Sequence, residues 1–143
     1  MFTKHSGDVV CYYYMKERDE LLIDMRVDLE LSIEQSKPIE VFQSNALRPI
    51  LKFQNLIILE IFKDHIKRTK RTFSALNQKV QLEIIKDSLI EDQLLKNKII
   101  FIVVAFFTVE EFNFYSQNLN EVNKRIVGMA TQRLQDQLSR LVL

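Results

Sequence analysis

Apolar residues recur at intervals of three and four along most of the chain, the period of an amphipathic helix. The densest stretch is Leu47–Ile66. At about 100° per residue, with Leu47 at zero, Ile50, Leu51, Ile57, Ile58, Ile61 and Phe62 fall on an arc from roughly 280° to roughly 60°. Phe53, Leu56, Leu59 and Ile66 widen the arc, and Lys52, Lys63 and Lys67 fill the strip that remains. A helix this broadly apolar belongs inside a bundle, touching neighbours on two sides. Pro49 suits a first helical turn, where its missing N–H costs nothing, so the helix is expected to begin near Ala46 or Leu47.

The same period places other helices around it. Met15–Gln35 carries Leu21, Leu22, Met25, Leu29 and Ile33 on one face and is stopped by Ser36-Lys37-Pro38. A short helix over Ile39–Ser44 presents Val41 and Phe42, with a break or cap at Ser44 or Asn45. Ser74 or Asn77 caps a helix reaching about Ile90, with Val80, Ile84, Ile85 and Leu89 inward. Glu91-Asp92 marks a break. The next helix runs from Gln93 to about Phe107 and is apolar all round after Lys98. Ile99–Phe107 has the composition of a strand, but no second convincing strand exists to pair with it. Thr108-Val109-Glu110-Glu111 is a capping box that starts a helix at Val109 with Phe112 and Tyr115 inward. Asn118 or Asn120 opens the last helix, which reaches about Leu141. Its stripe is Leu119, Val122, Ile126, Val127, Ala130, Leu134, Leu138 and Leu141, and Gly128 beside Ala130 admits a close helix neighbour. Residues 1–14 follow no such pattern. Val9-Val10-Cys11-Tyr12-Tyr13-Tyr14 reads as an extended arm, a strand exchanged with a second subunit, or a disordered extension. The expectation is all-α: an N-terminal arm over 1–14, then over 15–143 a single-domain bundle of about five to six helices around a central buried helix spanning about 46–70.

Composition narrows the function more than the fold. At 143 residues and 47% hydrophobic the chain can bury a real core. Two Gly and two Pro leave little for a phosphate-cradling loop, a dinucleotide fingerprint or a many-turned β fold. Charged residues make up 27% and nearly cancel, to +1, so no global excess recruits nucleic acid or membrane. One cysteine, Cys11, excludes an intrachain disulfide and a multi-cysteine zinc site. The N-terminus shows no secretory signal, and the Ile99–Phe107 run is under half the roughly 20 residues of a membrane span. These features lead to the expectation of a cytoplasmic protein with no cofactor.

Four residues form a candidate polar pocket: Arg48, Gln54, Asn55 and His65. Gln54 and His65 project within about 20° of Leu47, inside the apolar arc, and Asn55 lies just past Phe62. Buried polar groups require partners, so these side chains either bond across the helices or line a small-molecule site. A candidate basic patch, Lys63, Lys67, Arg68, Lys70 and Arg71, ends the central helix. It is either a phosphate contact or a set of cations at a helix C-terminus, and the absence of interleaved aromatics favours the second. Glu110 and Glu111 belong to helix-start chemistry. No nucleophile stands near a base in sequence and no His/carboxylate metal spacing occurs, so no catalytic or metal residue is assigned.

Ala46-Leu47-Arg48-Pro49-Ile50-Leu51-Lys52-Phe53-Gln54-Asn55, Phe107-Thr108-Val109-Glu110-Glu111-Phe112 and Asn123-Lys124-Arg125-Ile126 together carry a resemblance. From Met15 onward the chain resembles an uncharacterised family of short all-helical proteins from Bacteroidetes-type bacteria. Some members bear the label "glyoxalase". The residues here do not support that label: the vicinal-oxygen-chelate type sets His and Glu on sheet strands, and the metallo-β-lactamase type needs a His-x-His-x-Asp-His cluster. The resemblance implies an all-helical fold and transfers no functional residue. Three functions are then in play: a self-associating, non-catalytic interaction or structural protein, with a homodimer through the C-terminal helix; a nucleic-acid-binding regulator using the basic patch; and a small-ligand or enzymatic role at the polar pocket.

Overall fold

The computed structural model describes residues 17–26, 37–69 and 72–141, and every regular element among them is helical. We number residues 17–24 as α1, Pro38–Phe42 as α2, Arg48–Phe53 as α3, Asn55–Thr69 as α4, Gln78–Glu91 as α5, Gln93–Val104 as α6, Val109–Gln117 as α7 and Leu119–Asp136 as α8. The fold is an all-α, single-domain bundle. Local sequence sets several boundaries. Asn77 accepts the Val80 N–H at 3.0 Å to open α5. Asp92 ends α5 and caps α6 by accepting the Leu95 N–H at 2.9 Å. Thr108 and Glu111 close the capping box at the head of α7, with 3.2 and 2.9 Å bonds.

The core lies where α4, α5 and α6 pack against α8. Ile58, Leu59, Phe62 and Ile66 of α4 meet Ile85, Leu89, Leu95, Ile99 and Val103, and Val122, Ile126, Ala130 and Leu134 of α8 close it. An aromatic group extends this core toward α7: Phe42 stacks on Phe114 at 4.6 Å and meets Phe107 edge-on at 5.3 Å. Leu141, just after a 3₁₀ turn at Leu138–Arg140, is fully buried.

The central helical stretch differs from its expected form. It does not begin near Ala46, and neither Ser44 nor Asn45 breaks the chain. Helical backbone enters from Pro38 and passes through a π turn at Gln43–Leu47, where the Arg48 N–H reaches the Gln43 carbonyl. The wider turn makes room for Pro49, which supplies no N–H to the Asn45 carbonyl one turn back. Arg26 takes that carbonyl instead, at 3.3 Å. At Gln54 the backbone (φ −86°, ψ 7°) leaves helical geometry, and α4 starts on a shifted frame. The α4 helix touches α6 and α8, but part of its surface is open: Leu56 and Ile57 are 65 and 46% exposed, and Phe53 at the end of α3 is 49% exposed.

Other expected inward residues also face out. On α1 only Leu22 is buried, while Leu21 and Met25 are exposed; the expected continuation through Leu29 and Ile33, like the arm over 1–14, lies outside the described residues. On α6, Phe101 is 63% exposed, so the helix is not buried all round. Phe112 and Leu119 are exposed, and Gly128 faces open space, with nothing near enough for a Cβ to meet.

The end of α6 has no glycine to turn its last carbonyls inward, and long side chains from elsewhere cap them. The Phe106 N–H bonds Val103, leaving the Ile102 carbonyl to the Gln54 amide at 3.0 Å. Arg18 donates to the Ala105 and Phe107 carbonyls at 2.9 and 3.0 Å, and Arg26 to Phe106 at 3.1 Å. The Arg26 guanidinium also forks onto the Glu111 carboxylate at 2.5 and 2.7 Å, with the two side chains only 9 and 16% exposed. Asp19 accepts the Val109 N–H at 3.1 Å. Ile58→Asp places an unpaired charge in the core and should abolish the cooperative melt seen by circular dichroism. Arg26→Ala strands the Glu111 carboxylate and two carbonyl contacts, and should lower stability in urea by about 3 kcal/mol.

Candidate functional site

The four polar residues read from the sequence do not line one cavity. Gln54 is the cap on the Ile102 carbonyl described above. Asn55 and Gln137 exchange amides reciprocally, Asn55 Nδ2 to Gln137 Oε1 at 2.8 Å and Gln137 Nε2 to Asn55 Oδ1 at 2.7 Å. That pair joins α4 to the end of α8. Arg48 lines a groove with Gln137, while His65 lines a separate groove at the far end of α4.

The His65 groove holds about 380 Å³ and is walled by Thr69, Asp87, Ser88, Glu91 and Asp92. His65 Nδ1 stands 3.7 Å from Asp92 Oδ2, and its Nε2 is 3.5 Å from the Thr69 hydroxyl. The order carboxylate, imidazole, hydroxyl invites comparison with a hydrolytic triad. However, the Thr69 hydroxyl donates to the His65 carbonyl at 2.7 Å, and the first separation exceeds hydrogen-bond length. The other Asp92 oxygen caps α6. The cluster ties the ends of α4 and α6 together. Among the described residues, no group of three or more His, Cys, Asp or Glu side chains is arranged to hold a metal ion.

Of the basic run, Lys70 and Arg71 lie outside the described residues. Lys63 pairs with Glu60 at 3.0 Å and Arg68 with Asp64 at 3.0 Å, both on their own helix, and Lys67 is exposed. Two of these three cations are therefore partly neutralised where they stand.

Two features were not evident in the sequence. One is an outward apolar face on α4 and α6. The Gln54–Ile102 bond, the Phe53–Phe106 ring contact at 5.3 Å and the His65–Asp92 approach show that the two helices run antiparallel. This register sets Leu56 and Ile57 level with Phe101, and all three are exposed. The other is the Arg48 groove, about 600 Å³, walled by Lys52, Met129, Gln132, Arg133, Asp136 and Gln137. Burial depresses the Arg133 proton affinity, and Asp136 offsets this only in part. Elsewhere, burial raises the Tyr115 pKa against the bond its hydroxyl donates to Asn123 at 2.7 Å. The spacing of Arg48 and Lys52, one turn apart, was readable; Arg133 was not, because a cation in the last turn of a helix looks like dipole compensation.

Comparisons with protein-family models, with curated proteins and with solved structures yield no match. No helix among the described residues is long and apolar enough to cross a membrane.

Removing the Gln54 amide leaves the Ile102 carbonyl without its partner. Gln54→Leu should therefore cost about 1 kcal/mol in a urea titration.

Proposed function

We propose that the chain is a non-catalytic helical interaction protein that pairs with a second copy of itself through the outward face of α4 and α6. The observation behind this reading is the run of Phe53, Leu56, Ile57 and Phe101, with Leu94 one step further along α6, each 46 to 65% exposed. Five such side chains together present roughly 500 Å² of apolar surface, toward the upper end of the roughly 300–600 Å² that the largest patch on a monomer reaches. With polar neighbours added, the patch approaches the roughly 800 Å² per partner of a standard interface.

The charges at the edge favour a second copy over an unrelated partner. Lys52 and Glu60 stand one turn to either side of Leu56 and are exposed. A two-fold axis crossing α4 near Leu56 and Ile57 sets the helices antiparallel and brings each Lys52 toward the opposing Glu60. The C-terminal helix is less suited to the task. Val122, Ile126, Ala130 and Leu134 are spent on the core, and Glu121, Lys124 and Gln132 are among the residues it turns outward.

Light scattering after size exclusion should report a dimer for the unaltered chain at about 50 µM, within the range such interfaces reach. Leu56→Glu combined with Phe101→Glu should give a monomer with a melting temperature close to that of the parent, since neither side chain contributes to the core. A parent chain that is monomeric at this concentration would overturn the reading, as would a double variant that remains dimeric.

A further inference from the structure

We propose that the groove between α3 and the C-terminal half of α8 binds a small phosphate-bearing molecule, with Arg48 and Arg133 as its charged contacts. This site does not rest on self-association, although Lys52 borders both the groove and the α4 face. The pairing of the arginines sets it apart. Arg18, Arg26, Arg68 and Arg125 each hold a carboxylate at 2.5 to 3.1 Å. Arg140 donates to Gln137 at 3.1 Å. Arg48 and Arg133 make no side-chain hydrogen bond or ion pair among the described residues, yet both line the same groove.

Charge and shape agree on the ligand. Lys52 joins the two arginines on the wall, and Asp136 is the one carboxylate there, already accepting a bond from the Gln132 amide at 2.8 Å. The helix ends nearby contribute negative carbonyl dipoles that offset part of this excess. The two guanidiniums bond none of those carbonyls, so their forks of donors stay free for tetrahedral oxygens. Gln137 gives the site a fixed wall: its amide is held by Asn55, by the Arg133 carbonyl at 2.9 Å and by Arg140. Met129 supplies an apolar surface for the remainder of the ligand. The volume lies within the range of small-molecule sites, about 300–1,000 Å³.

The test is calorimetric titration of the full chain with phenyl phosphate, inorganic phosphate, benzoate and a single-stranded DNA oligonucleotide. Phenyl phosphate should bind saturably and more tightly than inorganic phosphate or benzoate. Arg48→Gln and Arg133→Gln should each weaken it at least about tenfold without changing the melting temperature of the ligand-free protein. Asp136→Asn should tighten it, an effect no purely structural role produces. Three results would overturn the proposal: no saturable heat from phenyl phosphate at 10 mM, about the weakest affinity worth calling a site; equal affinity for benzoate; or binding of DNA alone through these arginines.

Discussion

Everything around the α6–α7 joint follows from one requirement: carbonyls at a helix end need donors. The sequence here is Phe101-Ile102-Val103-Val104-Ala105-Phe106-Phe107, which contains neither a glycine to bend the chain back nor a polar side chain to serve itself. The donors must come from afar. Gln54 reaches over from between α3 and α4, Arg18 from α1 and Arg26 from the turn just after it. The same guanidinium of Arg26 also satisfies the carbonyl that Pro49 leaves open and anchors Glu111 at the head of α7. Four elements thereby meet at one side chain. Its Nε atom alone lacks a hydrogen-bond partner.

This arrangement explains why polar residues interrupt an otherwise apolar helix. Gln54 and Asn55 are each fixed by a single distant partner, a backbone carbonyl in one case and the Gln137 amide in the other. Both bonds specify register between helices, a task apolar contacts perform poorly because they have no direction.

Much of the fold was legible in the sequence. The helical period, the Asn77 cap, the break at Glu91-Asp92 and the Thr108–Glu111 box all arise from local chemistry, and local chemistry is what a sequence displays. The candidate pocket was less legible, for a geometric reason. Projecting Arg48, Gln54, Asn55 and His65 on one wheel assumes a constant 3.6 residues per turn. It also discards distance along the axis: Gln54 and His65 both face α6, and Arg48 and Asn55 both approach Gln137, but at about 1.5 Å per residue each pair lies two to three turns apart. The breadth of the apolar arc likewise signalled contacts on several sides but could not say that one side would be left open. Leu56 and Phe101 carry the same letters whether they face a core or a partner. The role of Arg26 was hidden because its partners lie 19 to 85 residues away.

The way α1 is attached has a bearing on the hierarchy of order within the chain. It buries a single leucine and otherwise grips the bundle through Arg18, Asp19 and Arg26. Cohesion elsewhere is largely apolar, whereas this grip is polar; burial shields its Arg26–Glu111 pair from added salt, and the exposed Arg18–Asp19 pair is screened. Opening of the molecule therefore has a natural first step, the release of α1, which leaves the layers beneath intact.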